Sequence, residues 1–196
     1  MKDLLERYPQ LNSCAKDIEN ALTLMLDTYK NGGKILVCGN GGSACDAEHI
    51  VGELMKGFKS LRKVTDKRIS PDLCEKLQGA LPAITLNSQT GLMTAIANDV
   101  DADMIFAQQV YGYAKENDLV IGISTSGNSK NVVNAIRVAK DLGVKSIVLT
   151  GEKGGILKEI ADIIISVPAT ETYKIQEYHL PIYHYLCAEV EKEIFR

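Results

Sequence analysis

No apolar run in this 196-residue sequence approaches the roughly 20 residues that a membrane span needs. The opening stretch MKDLLERYPQLNS is too acidic and polar to read as a secretory signal. Basic residues are neither in excess nor clustered. Lys and Arg number 22 against 25 Asp and Glu, for a net charge of −3. That leaves no electrostatic footprint for nucleic acid or an anionic membrane. Five cysteines (Cys14, Cys38, Cys45, Cys74, Cys187) are odd in number, far apart and without CxxC spacing. This argues against both a disulfide framework and a cysteine zinc site. Cys38 and Cys187 sit in apolar contexts and read as small core residues, and a reduced cytoplasm is the expected compartment. Neither GK[ST] nor G-x-G-x-x-G occurs, so no nucleotide cofactor is expected. Internal repeats and low-complexity tracts are also missing.

What is present is an alternation. Ile18, Ala21, Leu22, Met25 and Leu26 recur at helical spacing, which predicts an amphipathic helix over 11–30, ending at Asn31-Gly32-Gly33. KILVC (34–38) is a short, continuously apolar run rich in branched residues, the mark of a strand covered on both faces. Similar runs follow at 82–86, 119–123, 146–150 and 162–167. Helical patterns lie between them at 43–58, 90–115 (two helices), 129–142 and 155–161, and a long final helix covers 170–194. Strand, helix, strand with short links predicts an α/β fold, a three-layer α-β-α sandwich around a five-stranded parallel sheet. Residues 1–196 read as a single domain. The stretch 59–80, KSLRKVTDKRISPDLCEKLQGA, is charged and too long for a plain connection. It reads either as a surface excursion or lid, or as a solvated helical insertion.

Two loops carry the functional signal. CGNGGSACD (38–46) and ISTSGNSKN (123–131) both follow buried strands and open helices. In parallel sheets, ligands sit beyond the carboxyl ends of the strands, where such loops meet helix N-termini. Gly39, Gly41 and Gly42 permit close backbone approach, while Ser124, Thr125, Ser126 and Ser129 offer hydroxyls beside free amides. That combination suits a phosphate, although hydroxyl-rich loops also serve simply as helix caps. Glu53 lies one helix beyond the glycine loop, with His49 four residues earlier on the same face. Gln176 and His184 fall on roughly one stripe of the last helix. Each has a plainer reading: a solvated helix pair for His49 and Glu53, a satisfied buried ring for His184. Lys56 and Lys59 would either add charge to a phosphate pocket or remain solvated. His179 reads as structural or interfacial, and Pro181 should kink its helix.

GISTSGNSKNV, CGNGGSACDAEHIVGEL, VLTGEKGG and ETYKIQEYHLPIYH together resemble the sugar isomerase (SIS) domain family, and within it the phosphoheptose isomerases. The resemblance covers about 30–195, apart from 59–80. It implies a flavodoxin-like sheet and isomerisation of sedoheptulose 7-phosphate, with Glu53 as base and His184 as its acid partner. It also implies zinc on His49, Glu53, Gln176 and His184. Substrate contacts fall on Asn40, Gly41, Gly42, Ser43, Glu53, Gln176, Asn98 and Asp99 and on the serine loop, although helix C-capping is the plain role for Asn98. The implied assembly is a homotetramer with the N- and C-terminal helices at its interfaces; neither nucleic acid nor membrane is an expected partner. Two positions depart from the family pattern: Gly57 stands where an arginine is expected and Tyr173 where an acidic residue is. These keep open an isomerase of another phosphosugar. A second alternative is a non-catalytic, replication-initiator-associating protein on the same fold.

Overall fold

A computed structural model describes residues 1–195. Its five strands are β1 (Ile35–Gly39), β2 (Ala83–Thr85), β3 (Leu119–Ile123), β4 (Lys145–Gly151) and β5 (Ile163–Val167). They form one parallel sheet in the order β2-β1-β3-β4-β5. Alternate side chains of each strand enter opposite cores, as the two-residue period of a strand requires. Ile35, Val37, Leu119, Ile121, Ile147 and Leu149 face one layer of helices; Leu36, Cys38, Val120 and Val148 face the other. The continuous apolar runs are thus explained by burial on both faces.

One layer holds α1 (Lys2–Arg7), α2 (Ala15–Lys30), α3 (Gly42–Met55) and α9 (Thr172–Ile194). Within 59–80, α4 (Pro71–Cys74) is a single turn. The opposite layer holds α5 (Thr90–Ile96), α6 (Ile105–Tyr113), α7 (Lys130–Asp141) and α8 (Leu157–Ile160). Two helix bounds differ from those expected from the sequence, for local reasons. The helix expected over 11–30 begins only at Ala15: before it, α1 buries Leu4 and a 3-10 turn from Pro9 buries Leu11 and Cys14. The first connecting helix stops at Met55, because Lys56 turns to extended backbone. The two helices expected over 90–115 are α5 and α6, joined through a π turn (97–101) and a 3-10 turn (102–104).

The 59–80 segment folds against the body through one buried ion pair. Arg62, whose side chain is fully buried, donates from Nε to Glu191 Oε1 at 2.6 Å. Its other nitrogens reach the carbonyls of Glu53 (3.1 Å), Leu54 (2.6 Å) and Gly79 (3.3 Å). Glu191 in turn accepts from the Phe58 and Lys59 amides at 2.8 and 2.7 Å. Arg62 therefore satisfies the orphan carbonyls at the end of α3 and closes the neck of the excursion. An antiparallel bridge between Lys63 and Gln78 continues that neck. The thiols of Cys38 and Cys187 are buried in the two cores, and desolvation pushes both up to about 12. No helix among the described residues is long and apolar enough to cross a membrane.

Candidate active site

Strand order places the two loops. The chain leaves β1 toward β2 on one side and leaves β3 toward β4 on the other, so the crevice between β1 and β3 is the topological switch point where doubly wound sheets bind ligands. The glycine loop lies at the end of β1 and the serine loop at the end of β3. Asn40 and Asn131 clasp across this crevice by reciprocal amide hydrogen bonds, each 2.9 Å.

The serine loop is internally braced. Ser124 is buried, and its Oγ donates to Ser129 Oγ at 3.0 Å. Ser126 Oγ accepts from the Asn128 amide. Thr125's carbonyl accepts from Gly151 N, which ties the loop to β4. The GEKGG stretch backs the loop: Leu157 N donates to the Gly127 carbonyl and Ile156 N to Asn128 Oδ1. The glycine loop meets α9 directly. A Cβ at Gly42 would stand 2.6 Å from the Gln176 amide, so that side chain lies against the loop.

Beyond Gly42, α3 carries His49 and Glu53 toward α9. His49 Nε2 is 3.1 Å from Glu53 Oε1, and His184 Nε2 is 3.4 Å from His49 Nε2. One donor atom from each of these three side chains lies within 4.8 Å of the others. Two donors bound to one ion at about 2.0–2.1 Å and a tetrahedral angle stand about 3.4 Å apart, so the set has the size of a divalent transition-metal site. The chemistry fits as well: two imidazoles and a carboxylate are ligands suited to zinc. Glu53's other oxygen, Oε2, faces Lys56 Nζ at 3.4 Å. Lys56 thus neighbours the carboxylate rather than the serine loop.

His184 is held below the usual imidazole range, first by partial burial and then by the neighbouring His49. Tyr183 and Asp46, which the sequence reading passed over, sit behind the cluster. Tyr183 OH is 3.0 Å from His49 Nδ1 and donates to Asp46 Oδ1 at 3.1 Å. Burial pushes the Asp46 carboxyl above its ordinary range. Asp46 stands three residues before His49, on the same face of α3, and Tyr183 adjoins His184. Spacing therefore held a signal for both, though only the fold shows them meeting.

His179 is fully buried, and its Nε2 donates to the Thr150 carbonyl at 3.4 Å, a structural position. Asn98 does not cap α5. Ala97 takes that position and the chain continues into the π turn, where Asn98 Nδ2 bonds Asp99 Oδ1 at 2.8 Å in solvent. These two residues pair with each other, not with the cluster. At Gly57 the loop is tight: a Cβ there would meet the Ser60 carbonyl at 2.2 Å. This backbone has no room for the arginine that the family pattern expects. Tyr173 is exposed near the start of α9.

The model of the SIS domain family matches residues 1–151. A phosphoheptose isomerase of Citrifermentans bemidjiense is 44% identical over 91% of this chain and 84% of its own length. A solved phosphoheptose isomerase from Francisella tularensis superposes with a TM-score of 0.82 at 34% identity, covering 95% of this chain and 91% of that one. Another from Neisseria gonorrhoeae gives 0.80 at 32% identity, covering 97% and 94%. With a family model over most of its length and such relatives over nearly all of it, this chain belongs to the SIS domain family, in the branch that holds the phosphoheptose isomerases.

Proposed function

We propose that this chain is an aldose–ketose isomerase that converts D-sedoheptulose 7-phosphate to D-glycero-D-manno-heptose 7-phosphate through an enediol. The supporting observation is that Glu53, His49 and His184 meet on the helix leaving the glycine loop and the helix packed against it. Ser124, Thr125, Ser126 and Ser129, with the first amides of α7, hold the phosphoryl group under a favourable helix dipole. Asn40, Gly41, Gly42, Ser43 and Gln176 meet the sugar, with Asn98 and Asp99 at the rim. Anchoring one end of the substrate orients the other toward Glu53.

Glu53 takes the proton from C1, and the C1–H electrons form the C1=C2 bond while the C2 carbonyl oxygen gains a proton from His184. The proton on Glu53 then returns to C2, as His184 removes the proton from O1 and the aldehyde forms. The redox change is internal, so no electron acceptor is required. Zinc on His49, Glu53, Gln176 and His184 would supply a Lewis acid beside the carbonyl. Glu53's two oxygens have different neighbours, His49 and Lys56, which allows one to serve as donor and the other to handle the proton. The assembly proposed is a cytoplasmic homotetramer; exposed Leu180 on α9 is an apolar residue available to such an interface.

Gly57 and Tyr173 favour one second reading, the same reaction on another phosphosugar. Assay of the purified protein against five-, six- and seven-carbon ketose phosphates separates the two. Fastest consumption of the seven-carbon substrate supports the heptose assignment; preference for a shorter one moves the substrate and keeps the reaction. Capture of an initiator protein with no turnover of any sugar phosphate would instead support a binding module.

A further inference from the structure

We propose that Tyr183, anchored by Asp46, is a positioning residue that holds His49 with its proton on Nδ1, so that the Nε2 lone pair points into the cluster with Glu53 and His184. The inference deepens the zinc reading above and rests on it.

A tyrosine hydroxyl has one proton to give and lone pairs to receive with. Asp46, as a carboxylate, can only accept, so the single Tyr183 proton goes to its Oδ1 at 3.1 Å. What remains on the Tyr183 oxygen can only accept from His49 Nδ1, 3.0 Å away. That nitrogen must then carry a ring proton, which leaves Nε2 bare in the neutral imidazole that a metal binds. Nε2 is the atom that faces Glu53 Oε1 and His184 Nε2. The chain of bonds therefore selects the tautomer and ring orientation that a metal ligand needs.

Two further features are hard to explain as packing. Asp46 Oδ2 is buried with no hydrogen-bond partner, so this carboxylate is kept in place at a cost in desolvation. An apolar residue there would fill the space without that cost. In addition, the Tyr183 ring makes edge contacts with both histidines, its centroid 5.4 Å from His49 and 5.1 Å from His184. Tyr183 is 2% exposed, so its hydroxyl cannot trade these partners for bulk water. The ring sets the spacing between α3 and α9, and the hydroxyl sets the proton.

The test separates ring from hydroxyl. Tyr183→Phe keeps the edge contacts and removes the bond to His49; Asp46→Asn keeps the shape and weakens the anchor. Full-length protein is stripped with a chelator, and Zn²⁺ affinity is measured by competition against a chromophoric chelator. Outer-sphere partners of this kind carry about 10–100-fold in metal affinity. The expected result is a loss of that size in Tyr183→Phe, a smaller loss in Asp46→Asn, and metal-free melting temperatures close to wild type. In the zinc-loaded wild type, the His49 Nδ1 proton should be visible by nuclear magnetic resonance and protected from solvent exchange. The protein has only three histidines, which makes that signal assignable. Unchanged zinc affinity in both variants, or a His49 Nδ1 proton that exchanges as fast in wild type as in Tyr183→Phe, would overturn the proposal and leave zinc binding intact. Wild-type protein that binds no zinc would overturn the metal reading and this proposal together, while the isomerase assay still decides the reaction. If Tyr183→Phe melts early without metal, Asp46→Asn and the wild-type proton signal decide.

Discussion

His49 and His184, 135 positions apart in the chain, present their Nε2 atoms to each other at 3.4 Å. One ring belongs to α3 and the other to α9, so the distance records how these helices pack. The bond each makes elsewhere differs: His49 is tied through Nδ1 to Tyr183, while His184 lies beside Phe58, ring centroids 5.6 Å apart. His184 is the freer of the two to move a proton. Replacing it with Gln should lower kcat by about 10²–10⁴, the usual range for a lost general acid–base group. Because the side chain is only partly buried, the melting temperature should stay within a few degrees of wild type. Steady-state kinetics and a thermal melt on one preparation check both halves.

Arg62 and Glu191 should behave differently from every site residue. Both side chains are buried, and each is the other's charge partner. Removing one strands the other in a dry environment, which costs about 3–5 kcal/mol. Glu191→Ala should therefore lower the denaturant midpoint strongly. It should also loosen the end of α3, since Arg62 holds the Glu53 carbonyl. Equilibrium unfolding at neutral pH measures the loss; a change under about 1 kcal/mol would show that the pair does not pin the excursion.

Stability should fall on mild acidification, and His179 gives the sign. Burial holds its pKa at about 4, against an ordinary 6.5 in the unfolded chain. Between those values the unfolded state binds more protons, so the folded state gains stability as pH rises through the window. The loss is absent above about pH 6.5, grows as pH falls, and is complete below about pH 4. His179→Leu should flatten this part of the profile, read as denaturant midpoint against pH from 7 to 4. An unchanged slope would assign the effect to other groups.

Much of this architecture was legible before the fold was known. The five apolar runs fell on the five strands because burial on both faces forces continuous branched residues, as in ILVCG and LVIGI. Glu53, His49 and His184 were legible as residue types at helical spacing, and the structure brings them together. The rest was hidden for physical reasons. Strand order, which places the loops of β1 and β3 side by side, depends on crossovers that no local pattern encodes. Tyr183 and Asp46 looked like ordinary helix residues, because a hydrogen bond between positions 137 apart leaves no periodic trace. Arg62 sat in a charged stretch that read as solvated, yet it is fully buried, because its partner lies at the far end of the chain. The π turn at 97–101 replaced an expected helix end, since the chain there continues rather than stops.

The central claim is that one carboxylate moves the proton. Its most direct test is turnover of sedoheptulose 7-phosphate by wild type and by Glu53→Gln, with circular dichroism confirming that both are folded. The account predicts formation of the aldose by wild type and a loss of at least about 10³-fold in the variant, near the upper part of what a lost general base costs. Aldose formation by Glu53→Gln at the wild-type rate would contradict it.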